Sequence, residues 1–187
     1  MFLTHAAGAA VGSRPVSRRE QIKMSAAEVA AFLAQERTVT CATGGPRGWP
    51  HLMPLWYVVR QIGDLQASGE EDGPRLWSWT YAVSQKVRNL ERDPRATLQV
   101  EAGESYEQLR GVMLECDVII HRDLETVSAL GHEIFVRYAT PREQPPVEEL
   151  PAEVGAMVDK QAAKRVALEF VEHRRASWDH RKLTGTY

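Results

Sequence analysis

Ser84, Gln85 and Lys86 follow an apolar run, Leu76-Trp77-Ser78-Trp79-Thr80, that stops and hands over to a short basic helix. A strand-to-helix turn exposes backbone N–H groups, and here a hydroxyl and an ammonium stand in the first turn beside them, so a phosphate could sit there. With Val87 and Leu90 as the apolar side of that helix, Ser84, Gln85 and Lys86 would be left to meet a ligand. The competing reading of the same residues is a solvated basic helix with Ser84 as its cap. Trp77 and Trp79, two apart on a strand, point the same way and either hold a planar ligand or pack into the core. Trp49, Trp56 and Trp178 bring the tryptophans to five, enough flat surface for a wide aromatic pocket. His51, after Pro50, falls at the rim of such a pocket or faces water.

Other chemistries lack their residues. His5, His121, His132, His173 and His180 show no pair at metal-ligand spacing, so no metal site is expected. There is no Gly-x-Ser-x-Gly elbow, no Gly-x-Gly-x-x-Gly fingerprint and no Walker loop. No residue is assigned as catalytic. The tail Ser177-Trp178-Asp179-His180-Arg181-Lys182 sets an aromatic beside four ionisable groups, either a solvated terminus or a cap over an anionic ligand.

The elements that must position these residues are legible in outline. Residues 1–20 lack periodicity and are expected to form a flexible arm, leaving residues 21–187 as one domain. Ser25 and Glu28 form a capping box, with Val29, Phe32 and Leu33 at helical spacing, so a helix is expected over 25–36. Strands are expected over 38–43 and 52–59, joined by the turn Gly44-Gly45-Pro46-Arg47-Gly48, then at 76–80 after a long loop over 61–75. Leu98 and Val100 mark another strand, and Val112, Leu114, Cys116, Val118 and Ile120 alternate as a half-buried one. Helices follow over 123–138, capped by Asp123, and over 152–163. The last strand carries Val166, Leu168 and Phe170 toward Trp178. Six short-linked strands with edge helices make a mainly β, α+β fold: a six-stranded antiparallel barrel with peripheral helices.

Composition narrows the partners. A net charge of −2 offers no basic excess for a nucleic-acid backbone. No window reaches the ~18 apolar residues of a membrane span, and no signal peptide is apparent, so a cytoplasmic protein is expected. Cys41 and Cys116 lie in apolar or β-branched runs and are expected to be reduced core thiols.

The blocks Gly48-Trp49-Pro50-His51-Leu52-Met53-Pro54-Leu55-Trp56-Tyr57, Leu76-Trp77 with Thr80, and Ser84 to Pro94 resemble, in order and spacing, the flavin and deazaflavin oxidoreductases of the split β-barrel superfamily, relatives of pyridoxamine 5'-phosphate oxidase. The segments Ser105 to Gly111 and Ser177 to Leu183 resemble, more narrowly, an actinobacterial branch that uses the deazaflavin coenzyme F420. The likeness covers roughly residues 20 to 183. It implies an FMN-binding split-barrel fold and a homodimer with two cofactor sites at the subunit interface. It places Lys86 and Ser84 at the cofactor phosphate, with Gln85 between them in the binding turn, and Trp79 with Thr80 on the strand that borders the ring system. His51, Met53 and Pro54 fall on the neighbouring strand edge, and Trp178 comes from the second subunit. Hydride transfer from reduced F420 to an electron-poor unsaturated small molecule is the implied activity. The alternatives are an FMN-dependent enzyme and a non-catalytic flavin, deazaflavin or haem binder. Several relatives carry Arg at the place of Ser84, a contact that Arg88 or Arg110 would have to replace.

Overall fold

Helices begin where side-chain oxygens meet free N–H groups. The computed structural model describes residues 17–60, 75–139, 141–142 and 149–183. The expected loop over 61–75 lies almost wholly outside them, as does most of the N-terminal arm, whose last residues form one helical turn, α1 (Arg18–Gln21). In α2 (Ala26–Gln35) the Ser25 hydroxyl accepts from the Glu28 N–H, and the Glu28 carboxylate accepts from the Ser25 N–H at 2.7 Å. That is the expected capping box, and Val29, Phe32 and Leu33 are the buried stripe. Ser84 caps α3 (Gln85–Arg92), and Asp123 caps α4 (Leu124–Tyr138) by accepting from the Thr126 N–H at 2.8 Å. The fifth helix, α5 (Ala152–Ala162), stands where expected.

The strands are β1 (Thr38–Gly44), β2 (Pro50–Trp56), β3 (Val58–Arg60), β4 (Arg75–Tyr81), β5 (Arg95–Ala102), β6 (Arg110–His121) and β7 (Arg165–Asp179). They form one antiparallel sheet in the order β2-β1-β5-β6-β7-β4-β3. Its two edge strands are consecutive in the chain, with only Tyr57 between them, so the sheet curls until its edges approach each other. This is the split barrel. It has seven strands instead of six because the run expected over 52–59 breaks at Tyr57. There the backbone N–H donates to the Tyr138 hydroxyl at 3.0 Å, and the Tyr57 hydroxyl reaches the carbonyl of Leu33 at 2.8 Å. Helix contacts thus replace ladder hydrogen bonds at that residue.

Alternating residues fill the barrel: Val39 and Cys41, Leu98 and Val100, Val112 and Leu114, Leu168 and Phe170, closed by Phe32 and Leu33 of α2 and by Val87 and Leu90 of α3. Each such side chain contributes roughly 1.5–3 kcal/mol by leaving water. Outside the sheet, Trp77 and Ala167 pack under Val127, Leu130 and Ile134 of α4. Both thiols are free and buried, and burial pushes Cys41 up to about 11 and Cys116 up to about 12, which keeps them unreactive. The β6–β7 ladder shifts register between Glu115 and Cys116, leaving His173 as the extra residue of a bulge that bends the long β7.

Candidate functional site

β3 and β4 pair from Val58 opposite Trp77 to Arg60 opposite Arg75. One step further the Ser78 hydroxyl donates to the Trp56 carbonyl at 2.6 Å, the last link between the two edges. Beyond it the edges part. Pro54 and Leu55 pair only with β1, and Trp79, Thr80 and Tyr81 only with β7, so each presents backbone groups to the gap. Pro54 suits such an edge, having no N–H to leave unpaired. The gap is a cleft of about 460 Å³, walled by Pro54, Leu55 and Trp56 on one side and by Trp79, Thr80 and Tyr81 on the other, with Thr38 and Arg165 at its ends.

The aromatic wall is held by its neighbours. Trp79 meets Phe135 of α4 edge to face, centroids 6.2 Å apart, and the Arg165 guanidinium lies 4.5 Å from its ring centroid. A Cβ at Gly131 would stand 2.6 Å from the Trp79 ring, so only glycine lets α4 approach this closely. Opposite, Trp56 stacks on Tyr138 at 4.5 Å and 12° while staying half exposed. Trp77, by contrast, is core.

α3 brings positive charge to Thr80 in the cleft wall, although Ser84, Gln85 and Lys86 do not themselves line the cleft. Lys86 is only 4% exposed, and its Nζ donates to Thr80 Oγ1 at 3.1 Å. No carboxylate pairs with it among the described residues. Burial lowers its pKa from the ordinary lysine range. The reading of a solvated helix is therefore wrong for Lys86, although Ser84 does cap: its Oγ accepts from the Val87 N–H at 3.4 Å. Gln85 is not free either, donating to Asn89 Oδ1 at 2.8 Å, while Asn89 donates to Thr43. The N–H groups of Gln85 and Lys86 have no acceptor among the described residues. A buried ammonium with two unused donors, next to two free helix N–H groups, fits a phosphate in charge and in hydrogen bonding.

The remaining predicted residues divide. His51 is half buried on β2, its Nδ1 buried without a partner among the described residues, and Met53 is exposed on the same strand. Neither lines the cleft, but the strand that carries them forms its wall with Pro54. Trp178 lies far away: twelve residues separate it from Val166, which pairs with Thr80, on the order of 40 Å along β7 at about 3.3 Å per residue. Its ring covers Gly111, where a Cβ would meet it at 2.3 Å. The tail around it is bound to its own chain and is not a solvated terminus. The Asp179 N–H donates to the Ile22 carbonyl at 2.7 Å, and Lys182 pairs with Glu28 at 2.7 Å. Arg110 cannot replace a phosphate contact, because Glu36 holds it at 3.4 Å. Arg165 was not predicted, since its place against Trp79 and Tyr81 depends on a strand pairing that joins residues more than eighty apart.

A larger hollow of about 660 Å³ lies beyond the turn between β1 and β2, lined among others by Asp93, Arg95, Asp117 and His173. Those groups already pair, Arg95 with Asp93 at 2.7 Å and His173 with Asp117 at 2.8 Å, and none of the predicted residues lines it. The smaller cleft is the candidate site.

Residues 25–160 match the family model described as pyridoxamine 5'-phosphate oxidase. A conserved hypothetical protein from Mycobacterium tuberculosis is 37% identical, with a TM-score of 0.72 over 92% of this chain and 96% of that one. An F420 reductase shares 20% identity and a TM-score of 0.51, covering 78% and 93% of the two chains. The heme storage protein HutZ of Vibrio cholerae shares 14% identity and a TM-score of 0.53, covering 79% and 89%. The last two are likenesses of fold. No curated protein matches the chain.

Proposed function

Because this chain belongs to the pyridoxamine 5'-phosphate oxidase family, we propose that it is a cytoplasmic oxidoreductase whose cleft binds F420 and serves the reduction of an electron-poor, unsaturated small molecule. The observation that carries the reading is Lys86, a buried cation with no counter-ion among the described residues, whose Nζ donates to Thr80 in the wall of the aromatic cleft. Leaving an ammonium so far from water costs several kcal/mol unless an anion joins it. When bound, the deazaflavin supplies the hydride. The chain's own residues bind, orient and keep water out. Lys86, Ser84 and the N–H groups at the start of α3 hold the phosphate, and Trp79 and Thr80 border the ring. The β2 edge at His51, Met53 and Pro54 approaches it with backbone groups.

The same reading calls for a homodimer. Leu52, Met53 and Trp56, with Trp49 just ahead of the strand, make β2 an exposed apolar edge, a surface that favours burial against a second copy. That copy would also bring Trp178, which cannot reach the cleft of its own chain.

Titrating the protein with F420 tests the cofactor: quenched or shifted coenzyme fluorescence at micromolar protein is expected, and no change at high concentration ends the proposal. A yellow protein purified from a host without deazaflavin would instead assign FMN.

A further inference from the structure

Arg165 opens β7 at one end of the cleft, opposite Tyr81 in the sheet. Its guanidinium lies 4.5 Å from the Trp79 centroid and 4.2 Å from that of Tyr81. Its Nη1 donates to the carbonyl of Gln161 at 3.0 Å and to the Gln161 side-chain oxygen at 2.7 Å. Ring faces and one anchored nitrogen fix the plane of the group, and Nε and Nη2 have no acceptor among the described residues. Other half-buried arginines are engaged differently: Arg60 faces Glu133, Arg75 faces Glu169, Arg110 faces Glu36 and Arg175 faces Glu172. Among the described residues no acidic side chain lines the cleft. A planar fork of donors held rigid and left without an anion is the complement of a carboxylate. Beside it, the half-exposed faces of Trp56 and Tyr81 are flat and apolar.

We infer that Arg165 is a second anion anchor, distinct from Lys86, and that it receives a carboxylate on a planar ligand lying against Trp56 and Tyr81. This deepens the proposed function and rests on its reading of the cleft as a ligand site. The carboxylate belongs either to the reducible substrate or to the cofactor. The chemistry at Arg165 is the same, and the experiment separates the sources.

Calorimetric titration of the full chain with 2-naphthoate and with its neutral isostere 2-naphthamide tests the anchor without any coenzyme. The wild type is expected to prefer the carboxylate by about tenfold, the size of one charge-assisted hydrogen bond, and Arg165→Gln to abolish that preference. Arg165→Lys keeps the charge but loses the fork, so it should keep only part of the preference; it also serves as the test if Arg165→Gln fails to fold by circular dichroism. Absence of naphthoate binding in the wild type, or an unchanged preference in a folded variant, overturns the inference. If weaker F420 binding accompanies Arg165→Gln, the cofactor is the source. If F420 binding holds and KM rises only for enones bearing a carboxylate, the substrate is. Arg165-dependent naphthoate binding with no binding of F420 or FMN would overturn the proposed function and leave this anchor standing.

Discussion

The end of α2 and the start of α3 bury charge in opposite ways. At the end of α2, Glu36 is buried and faces two guanidinium groups, Arg142 at 2.8 Å and Arg110 at 3.4 Å, while Arg137 donates to the carbonyls of Ala34 and Glu36. Opposite charges and helix-end carbonyls pair there, although the buried Arg137 Nε has no partner among the described residues. At the start of α3, Lys86 has one hydroxyl for company. The difference teaches where to look for a binding site: a closed network reports architecture, and an open one reports an absent partner.

Substituting at both places separates the two kinds of charge. Glu36→Ala leaves two arginines facing a hollow and should lower stability by about 3 kcal/mol, read by urea denaturation, with cofactor affinity unchanged. A loss below about 1 kcal/mol would remove the network's structural meaning. Lys86→Met should act in reverse, weakening cofactor binding by about 1.5–3 kcal/mol while leaving the empty protein at least as stable as before. The pH dependence follows from sign. Burial holds Lys86 below its usual 10.5 in the folded protein, so between the lowered value and 10.5 the unfolded chain binds more protons. Stability of the ligand-free protein therefore rises with pH across that window, and affinity for an anionic cofactor falls. Lys86→Met should flatten both trends in paired urea and titration series.

A finer contrast lies between the two sides of Trp79. The face toward the cleft has room, and the face toward α4 has none, since a Cβ at Gly131 would also stand 2.9 Å from Val158. Gly131→Ala should cost about 1–3 kcal/mol by overpacking and push the indole into the cleft. Changed near-ultraviolet circular dichroism with weaker cofactor binding is expected. An unchanged spectrum would show that α4, not Trp79, yields.

Local chemistry was the legible part of both regions. Ser25 with Glu28, Asp123 with Thr126 and Ser84 with Val87 act across three residues, so spacing alone reveals them. The alternation in β6 and the apolar stripe of α2 likewise announce their buried faces. Pro54, Trp79 and Thr80 line one cleft, and Lys86 reaches Thr80 from outside its lining. What stayed hidden depends on contacts across many residues. Tyr57 breaks its strand because Tyr138, eighty-one residues on, takes its N–H. Arg165 looks like an ordinary cation between helix and strand until the barrel closes and lays it against Trp79. Lys86 was visible as a candidate, but only the packing of α3 against β1 and β4 reveals that it is buried.

The smallest expected effect compares two serine caps. Ser25 sits in a reciprocal box at an exposed helix start, whereas Ser84 makes one long hydrogen bond of 3.4 Å beside the cleft. Ser25→Ala removes a complete cap and should cost about 1 kcal/mol of stability, with no change in cofactor affinity. Ser84→Ala removes a cap without the reciprocal carboxylate and should cost about 0.5 kcal/mol, the low end for caps; as an acceptor, the Ser84 hydroxyl keeps its proton for a ligand. Its cofactor affinity should fall by about 1 kcal/mol, the contribution of one ordinary hydrogen bond. Urea denaturation and F420 titration of the two variants check this together. If Ser84→Ala matches Ser25→Ala in both, Ser84 is a cap alone, and the phosphate reading of the α3 turn rests on Lys86 and the backbone.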